Sequence, residues 1–480
     1  LFFLARLIRV GPMLSKVLSN LQLSIVSVLL LAVTVSTLRV LQVSDFHLDV
    51  DYNRKGDPQK MCHISSPSRA SRLDANADLG SYGDYMCDSP ESLVRFAIDE
   101  TVRVSNGDGK LDLVLWTGDN TPHIDGYDEN YVVNAITKTT SIIKSVFPNT
   151  PVLPTFGNHD YSPANAFDSN VTLYERSFEL WSDVILGADN EQFFKSGGFY
   201  YYDYKGARIL VLNTNLYYNV NNAYGDFADQ TDPAGQFKFM EDTLEQATKC
   251  TDAKKCFSTV HIVTHIAPGV FERSPNFQWY RPEYNKRFLD ITQKYASHIG
   301  WMIFGHHHTD TFHVVRDDSG APVQTMLMAP SVTPWFSSLP GAGSNNPAFR
   351  LFDTYDIDKR HAYREITTYA IDLSRLNAGK QPEFAPLYSH TLEYQMPGLT
   401  PQDFDDLINR MLKDDNLFYK YIANNAVLVD LNMPVEPYRS AQFCSMQHAD
   451  FDKYDDCMKS SFALYTIIPT VVILFSRLFL

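Results

Sequence analysis

Five apolar stretches of strand length in this chain each run out in residues of the kind that hold metal ions. Residues 39–43 lead to Asp45-Phe46-His47, residues 111–116 to Gly118-Asp119, and residues 151–156 to Gly157-Asn158-His159-Asp160. Further on, residues 258–264 end at His265 and residues 299–304 at Gly305-His306-His307-His308. A Gly-Asp pair alone is an ordinary turn, and a single His after an apolar strand is more often a hydrogen-bonded core residue. Repetition in order is what constrains the fold, because α/β sheets gather ligands at the carboxyl ends of their strands. Between the strands, residues 91–104 and 130–146 carry apolar positions at near-helical spacing. Such a strand–helix–strand–helix rhythm implies parallel strands joined by right-handed crossovers.

The middle of the chain changes character. Residues 199–204 and 208–212 flank Lys205-Gly206 and read as a hairpin, with Tyr200, Tyr201 and Tyr202 as hairpin packing. An Asn-, Tyr- and Asp-rich loop follows to Gly235, of a length usually kept for a substrate mouth. Helices are expected at 234–247, 282–295 and, as one or two pieces, 401–425; strands at 311–315, 323–328 and from 350 onward. The chain is read as upstream residues and a leader at 1–37, a main α/β domain at 38–375, a mixed extension at 376–460 and a hydrophobic tail at 461–480.

A net charge of −15 and the absence of any basic run exclude a general nucleic-acid-polymer binder, since phosphate backbones need clustered Lys and Arg. The six cysteines fall in three close pairs, Cys62/Cys87, Cys250/Cys256 and Cys444/Cys457. None has the C-x-x-C spacing of a structural zinc site, so an oxidising compartment is the better reading; six cysteines still permit about 15 pairings. Lys16 ahead of the uncharged run 21–38, with Thr34, Ser36 and Thr37 at its end, has the form of a secretory signal peptide, with Met13 as the start. Asn170-Val171-Thr172 is a glycosylation sequon that suits a secreted chain. The tail 462–480 is apolar except for Arg477; it has the outline of a glycolipid-anchor signal without the polar spacer, and a short transmembrane helix or a plain hydrophobic end stay open. The destination is therefore extracellular, the cell surface if the tail associates with a membrane, or the lysosome.

Two metals held close together need one ligand able to touch both, and a carboxylate serves best. Imidazoles add neutral donors suited to zinc and related ions, and an amide such as Asn158 ligates through its oxygen without adding charge. Asp45, His47, Asp119, Asn158, His265, His306 and His308 form the set a dinuclear site would use, with Asp119 as the bridge. Such a pair lowers the pKa of a shared water, and the hydroxide can attack phosphorus in line with the leaving oxygen. Asp160 and Asp310 read as supporting or turn residues, His63 as a surface residue of a polar loop, His261 as facing the core or an adjacent strand, and His298, His313 and His448 as structural.

The motifs Asp-x-His, Gly-Asp, Gly-Asn-His, a strand-terminal His and Gly-His-x-His resemble those of the calcineurin-like metallophosphoesterases. Trp116-Thr117-Gly118-Asp119-Asn120-Thr121-Pro122-His123, Gly305-His306-His307-His308-Thr309-Asp310 and Ala329-Pro330-Ser331-Val332-Thr333-Pro334-Trp335 narrow the resemblance to the acid-sphingomyelinase-like phosphodiesterases. It runs from about residue 39 to 457. It implies a four-layer α/β/β/α sandwich, two zinc ions and phosphodiester hydrolysis. Carried over, Asp45, His47, Asp119 and His308 hold one zinc, and Asp119, Asn158, His265 and His306 the other. His123 and His159 contact the phosphate and protonate the leaving group, work that suits imidazole. His307 departs from the usual small residue and is expected to alter the rim of the site.

A purple acid phosphatase would place Tyr where Pro122 stands, which argues against a coloured ferric site. The resemblance allows sphingomyelin or other phosphocholine lipids on one side and nucleotides on the other. No cysteine-rich helical module of the lipid-extracting kind precedes Asp45, which favours soluble or cell-surface substrates. The competing class is a catalytically weak secreted binding or immunomodulatory protein that keeps the fold. Retention of all seven ligand types and both spare histidines argues against it.

Overall fold

The strands β1 (Arg39–Val43) and β2 (Leu113–Trp116) are buried along almost their whole length, so both of their faces must be covered. That is the burial of a parallel sheet held between two other layers. The computed structural model describes residues 38–64, 78–108, 111–168, 172–226, 229–252, 255–355 and 360–461. The leader at 1–37, the sequon residue Asn170 and the tail beyond residue 461 lie outside them.

β1 pairs in parallel with β2, and β2 with β3 (Val152–Pro154). On the other side of β1 the chain returns antiparallel through β10 (Ala348–Tyr355), β11 (Ala362–Ala370) and β12 (Ala385–Ser389), completing a six-stranded sheet. The second sheet also has six strands, in the order β4 (Tyr200–Tyr204), β5 (Ala207–Val211), β6 (Thr259–Val263), β7 (Ile299–Phe304), β9 (Pro322–Met328), β8 (Thr311–Arg316). Its inner strands β5, β6, β7 and β9 run parallel, and an antiparallel hairpin closes each edge.

Buried hydrogen bonds stitch the sheets face to face. Gln42 on β1 donates to the Phe304 carbonyl on β7 at 2.8 Å, Tyr200 on β4 to the Pro154 carbonyl on β3 at 3.0 Å, and Arg350 on β10 to the Met328 carbonyl on β9 at 2.7 Å. Helices Glu91–Asp108 and Glu129–Val146 make the crossovers of the first sheet, and Gln236–Thr248 and Pro282–Lys294 those of the second. The result is the expected α/β/β/α sandwich, with one apolar core running through both sheets and their helices.

Local chemistry sets the helix ends. Asp128 accepts the Tyr131 N–H at the start of Glu129–Val146, and Pro282 opens Pro282–Lys294. The expected helical stretch 401–425 is two helices, Pro401–Met411 with a Thr400/Asp403 capping box and Asp415–Asn425 capped by Asp414. Two helices between β3 and β4, Thr172–Trp181 and Ala188–Gly197, were not legible in the sequence. They are short, the second starts without a side-chain cap at Gly187, and burial of Trp181 and Phe194 against Phe156 holds them. Residues 376–461 complete the fold at one end: β12 widens the first sheet, and helices Pro401–Met411 and Tyr438–Gln447 pack on β9 and β8. The cysteines join as Cys62–Cys87, Cys250–Cys256 and Cys444–Cys457. Among the described residues no helix is long and apolar enough to cross a membrane.

Candidate metal centre

Where the strands end, the backbone takes a conformation that side chains other than glycine rarely adopt. Asp45, His47, Asp119, His306 and His308 have φ of 52°, 41°, 57°, 69° and 60°. Each such residue costs about 1–2 kcal/mol, which surrounding contacts must offset. They do so through backbone bonds between the strand ends: Asp45 donates to the Gly118 carbonyl and His47 to the Asp119 carbonyl, both at 3.0 Å. The Asp160 carboxylate gathers the N–H groups of Gly157, Asp119, Asn120 and Thr121 at 2.9, 3.0, 2.8 and 3.2 Å. Glycine is required at position 157, because a Cβ there would fall on the Asp119 carboxylate and its backbone nitrogen.

These turns bring all seven expected ligands together. One Asp119 oxygen lies 3.3 Å from His47 Nε2 and 3.2 Å from His265 Nε2. His308 Nε2 stands 3.5 Å from the Asp45 carboxylate and 3.2 Å from His47 Nε2, and Asn158 Oδ1 is 3.1 Å from His265 Nε2. Asp45, His47, Asp119 and His308 converge as one group, and Asp119, His265 and His306 as a second, each with donor atoms within 4.8 Å of one another.

The donor set fits divalent cations. Ring nitrogens of His47 and His308 face each other across hydrogen-bonding distance, and the buried His306 Nε2 has no hydrogen-bond partner. Lone pairs so placed repel unless a cation or protons lie between them. The far nitrogens are spoken for: His47 Nδ1 lies 2.8 Å from the Thr121 carbonyl and His265 Nδ1 2.6 Å from that of Thr117. Those carbonyls fix the tautomer that leaves Nε2 free to ligate. Burial pushes the Asp119 carboxyl up, but His265 and His47 beside it outweigh this and hold it well below the usual range. Burial pulls the two imidazoles down, and the Asp119 charge more than reverses that, raising each to about 9.

His123 and His159 sit on the open side of this cluster. The His123 ring is clamped between His47, with centroids 3.9 Å apart, and Trp335 at 3.6 Å. His159 meets it edge-on at 4.3 Å, donates its backbone N–H to Asp119 Oδ1 at 2.9 Å, and keeps a buried Nδ1 without a partner. Burial pulls His159 down to about 4 and, with His47 next to it, His123 well below its ordinary value. A cleft of about 220 Å³ opens here, lined by Asp119, His159, Tyr218, Trp279, Trp335 and Arg273 among others.

Several residues behave differently from their sequence reading. His307 lines the cleft from below the surface instead of standing on its rim: its side chain is fully buried, with Nδ1 2.9 Å from Glu272 Oε2. His63 reaches inward to Asp49 at 2.7 Å. His261 is structural as expected, packed on Trp301 at 3.8 Å, and Asp310 pairs with Arg350 and Thr368 in the core. Sequence reasoning missed Asp88 and Glu272, which stand beside His123 and His307. No motif marks either of them; only their position after a disulfide cysteine and in a loop beyond β6 could have drawn attention.

Residues 38–310 match the family model described as calcineurin-like phosphoesterase, and residues 321–464 that of the acid sphingomyelin phosphodiesterase C-terminal region. The second match begins inside the second sheet, where β9 starts. The human acid sphingomyelinase-like phosphodiesterase 3b is 36% identical over 428 residues, covering 87% of this chain and 90% of that protein. The human cyclic GMP-AMP phosphodiesterase SMPDL3A is 32% identical over 427 residues, covering 87% and 89%. Sphingomyelinase phosphodiesterase C of Dictyostelium discoideum is 29% identical over 430 residues, covering 87% and 91%.

Proposed function

The chain belongs to the acid-sphingomyelinase-like phosphodiesterases within the calcineurin-like metallophosphoesterases, and from that premise we propose that it is a zinc-dependent phosphodiesterase of the secretory route. Asp45, His47, Asp119 and His308 would hold one ion and Asp119, Asn158, His265 and His306 the other. When bound, the pair supplies Lewis-acid stabilisation of phosphoryl charge and a water acidic enough to act near neutral pH. The single observation that carries this reading is the Asp119 carboxylate, which meets His47 on one side and His265 on the other within 3.3 Å.

The protein's own groups do the rest. The clamp on His123 and the Asp119 contact of His159 hold two imidazoles over the open side of the centre. One ring hydrogen-bonds a phosphoryl oxygen; the other, whose proton affinity the anionic phosphate beside it raises, delivers a proton to the departing oxygen as its bond to phosphorus breaks. Of the two substrate classes, nucleotide-type diesters and anhydrides fit the cleft better than a phosphocholine lipid. Buried Arg273 lines it, and among the described residues no carboxylate pairs with that guanidinium within 4 Å. Its one hydrogen bond among the described residues goes to the neutral Ala342 carbonyl, and a guanidinium whose charge no carboxylate balances favours a second anionic group and opposes a quaternary ammonium. Half-buried Trp335 lines the same cleft, and its face turned away from His123 offers a platform for a base.

The test is zinc content together with turnover of a chromogenic bis-aryl phosphate, followed by cyclic GMP-AMP, ATP and sphingomyelin micelles side by side. Two zinc ions with hydrolysis of the nucleotides are expected. Bound zinc without turnover of any diester would leave a binding protein on the same fold. Preference for sphingomyelin would overturn the substrate assignment alone.

A further inference from the structure

Residues 306–309 alternate between two tasks. His306 and His308 turn to the metal cluster, while His307 and Thr309 turn the other way and end on one buried carboxylate, Glu272. Glu272 accepts His307 Nδ1–H at 2.9 Å on one oxygen and the Thr309 hydroxyl at 2.6 Å on the other. The second oxygen also accepts Asn425 Nδ2 at 3.0 Å. Asn425 closes the helix Asp415–Asn425 in the C-terminal region, and its carbonyl takes the Asp310 N–H at 3.1 Å. Glu272 is wholly inaccessible to solvent and comes from the loop after β6, so a charge is kept in the interior with three donors to satisfy it. A buried carboxylate is costly unless its lone pairs are filled, and here two of the three filling groups are the residues interleaved with the ligands.

Resting on the metal-dependent reading above, we propose that Glu272 is a positioning residue that sets the spacing of His306 and His308, and that Asn425 ties this setting to the C-terminal region. Two left-handed residues in a three-residue stretch have no local reason to persist. A single carboxylate gripping positions 307 and 309 holds the intervening backbone in that shape, and Phe271 and Trp279 pack the His307 ring from the other sides. Because His306 and His308 belong to different ligand groups, one residue that touches neither group governs both.

The experiment compares the wild type with Glu272→Gln, Thr309→Val and Asn425→Ala, reading zinc affinity by chelator competition, the visible spectrum of the cobalt-substituted protein, and thermal unfolding. Glu272→Gln is expected to lose about 10- to 100-fold in affinity at both sites, with altered cobalt bands, as when a partner of a ligating residue is removed. Thr309→Val and Asn425→Ala are expected to lose several-fold at both. A lowered melting temperature with wild-type affinity and spectrum would make Glu272 merely structural and overturn the proposal. If Glu272→Gln does not fold, Thr309→Val decides, and unchanged affinity in that variant overturns it equally. Unchanged affinity in Asn425→Ala removes the link to the C-terminal region. Wild-type protein that binds zinc but turns over no diester would defeat the functional reading and leave these affinity comparisons standing.

Discussion

Asp88 holds His123 at two points: its Oδ2 accepts the His123 backbone N–H at 2.6 Å, and its Oδ1 lies 3.0 Å from the ring Nδ1. Thr333 donates to the same carboxyl at 3.0 Å, which ties the loop after β2 to the loop that carries Trp335. The imidazole is thereby fixed with Nδ1 occupied and Nε2 available to the cleft. Asp88→Asn keeps the volume and presents an amide to Nδ1. Zinc content should stay at the wild-type level while kcat falls roughly 10- to 100-fold. Comparing an alkyl leaving group with an aryl one measures whether proton delivery is what was lost.

His159→Gln should keep both ions, because His159 reaches Asp119 only through its backbone N–H. Loss of the ring removes a proton donor or a phosphoryl contact, and turnover should fall about 10²- to 10⁴-fold. Metal analysis beside steady-state kinetics checks both halves. Zinc lost together with activity would mean that the ring is a ligand.

Gly157→Ala pushes a methyl group onto the Asp119 carboxylate and the backbone that carries it. Neither can retreat, since Asp160 and Asp119 pin the loop from both sides. Overpacking of this kind destabilises by about 1–3 kcal/mol, and the Asp119 carboxylate should be displaced. Thermal unfolding and metal content should drop together, and a stable protein with full zinc occupancy would contradict the close approach.

Burial pushes the Glu272 carboxyl up, but His307 beside it and the Thr309 hydroxyl more than offset this and hold it at about 2, against an ordinary 4.5. A carboxyl depressed in the folded state stabilises above its unfolded pKa, and that stability is lost as pH falls from 4.5 towards 2. The contribution is about 3 kcal/mol at most. Urea unfolding at pH 5 and pH 3 should show a smaller acid loss in Glu272→Gln than in the wild type. Equal losses would show that other carboxyls carry the acid sensitivity.

Much of the frame was legible because strand and helix periods are local. β7 falls on residues 299–304 as read, the hairpin around Lys205-Gly206 forms, and the cysteine neighbours pair. The helices Thr172–Trp181 and Ala188–Gly197 were not, because both are short, the second has no side-chain cap, and both lean on Phe156 from β3's end. The burial of His307 was hidden for a related reason: its partner lies 35 positions away, in a stretch with no motif.

The sequence by itself determined where most strands fall along the chain, the ligand-type residue at each of five strand ends, and hence the family. Tertiary structure alone decided that Asp45, His47, Asp119, His306 and His308 take left-handed turns, which tautomers Thr121 and Thr117 impose, and that Asp88 and Glu272 steady His123 and the 306–309 loop. A side chain's type is written where it stands in the chain. The direction it faces is set by hydrogen bonds to residues far along the chain, and no local pattern carries them.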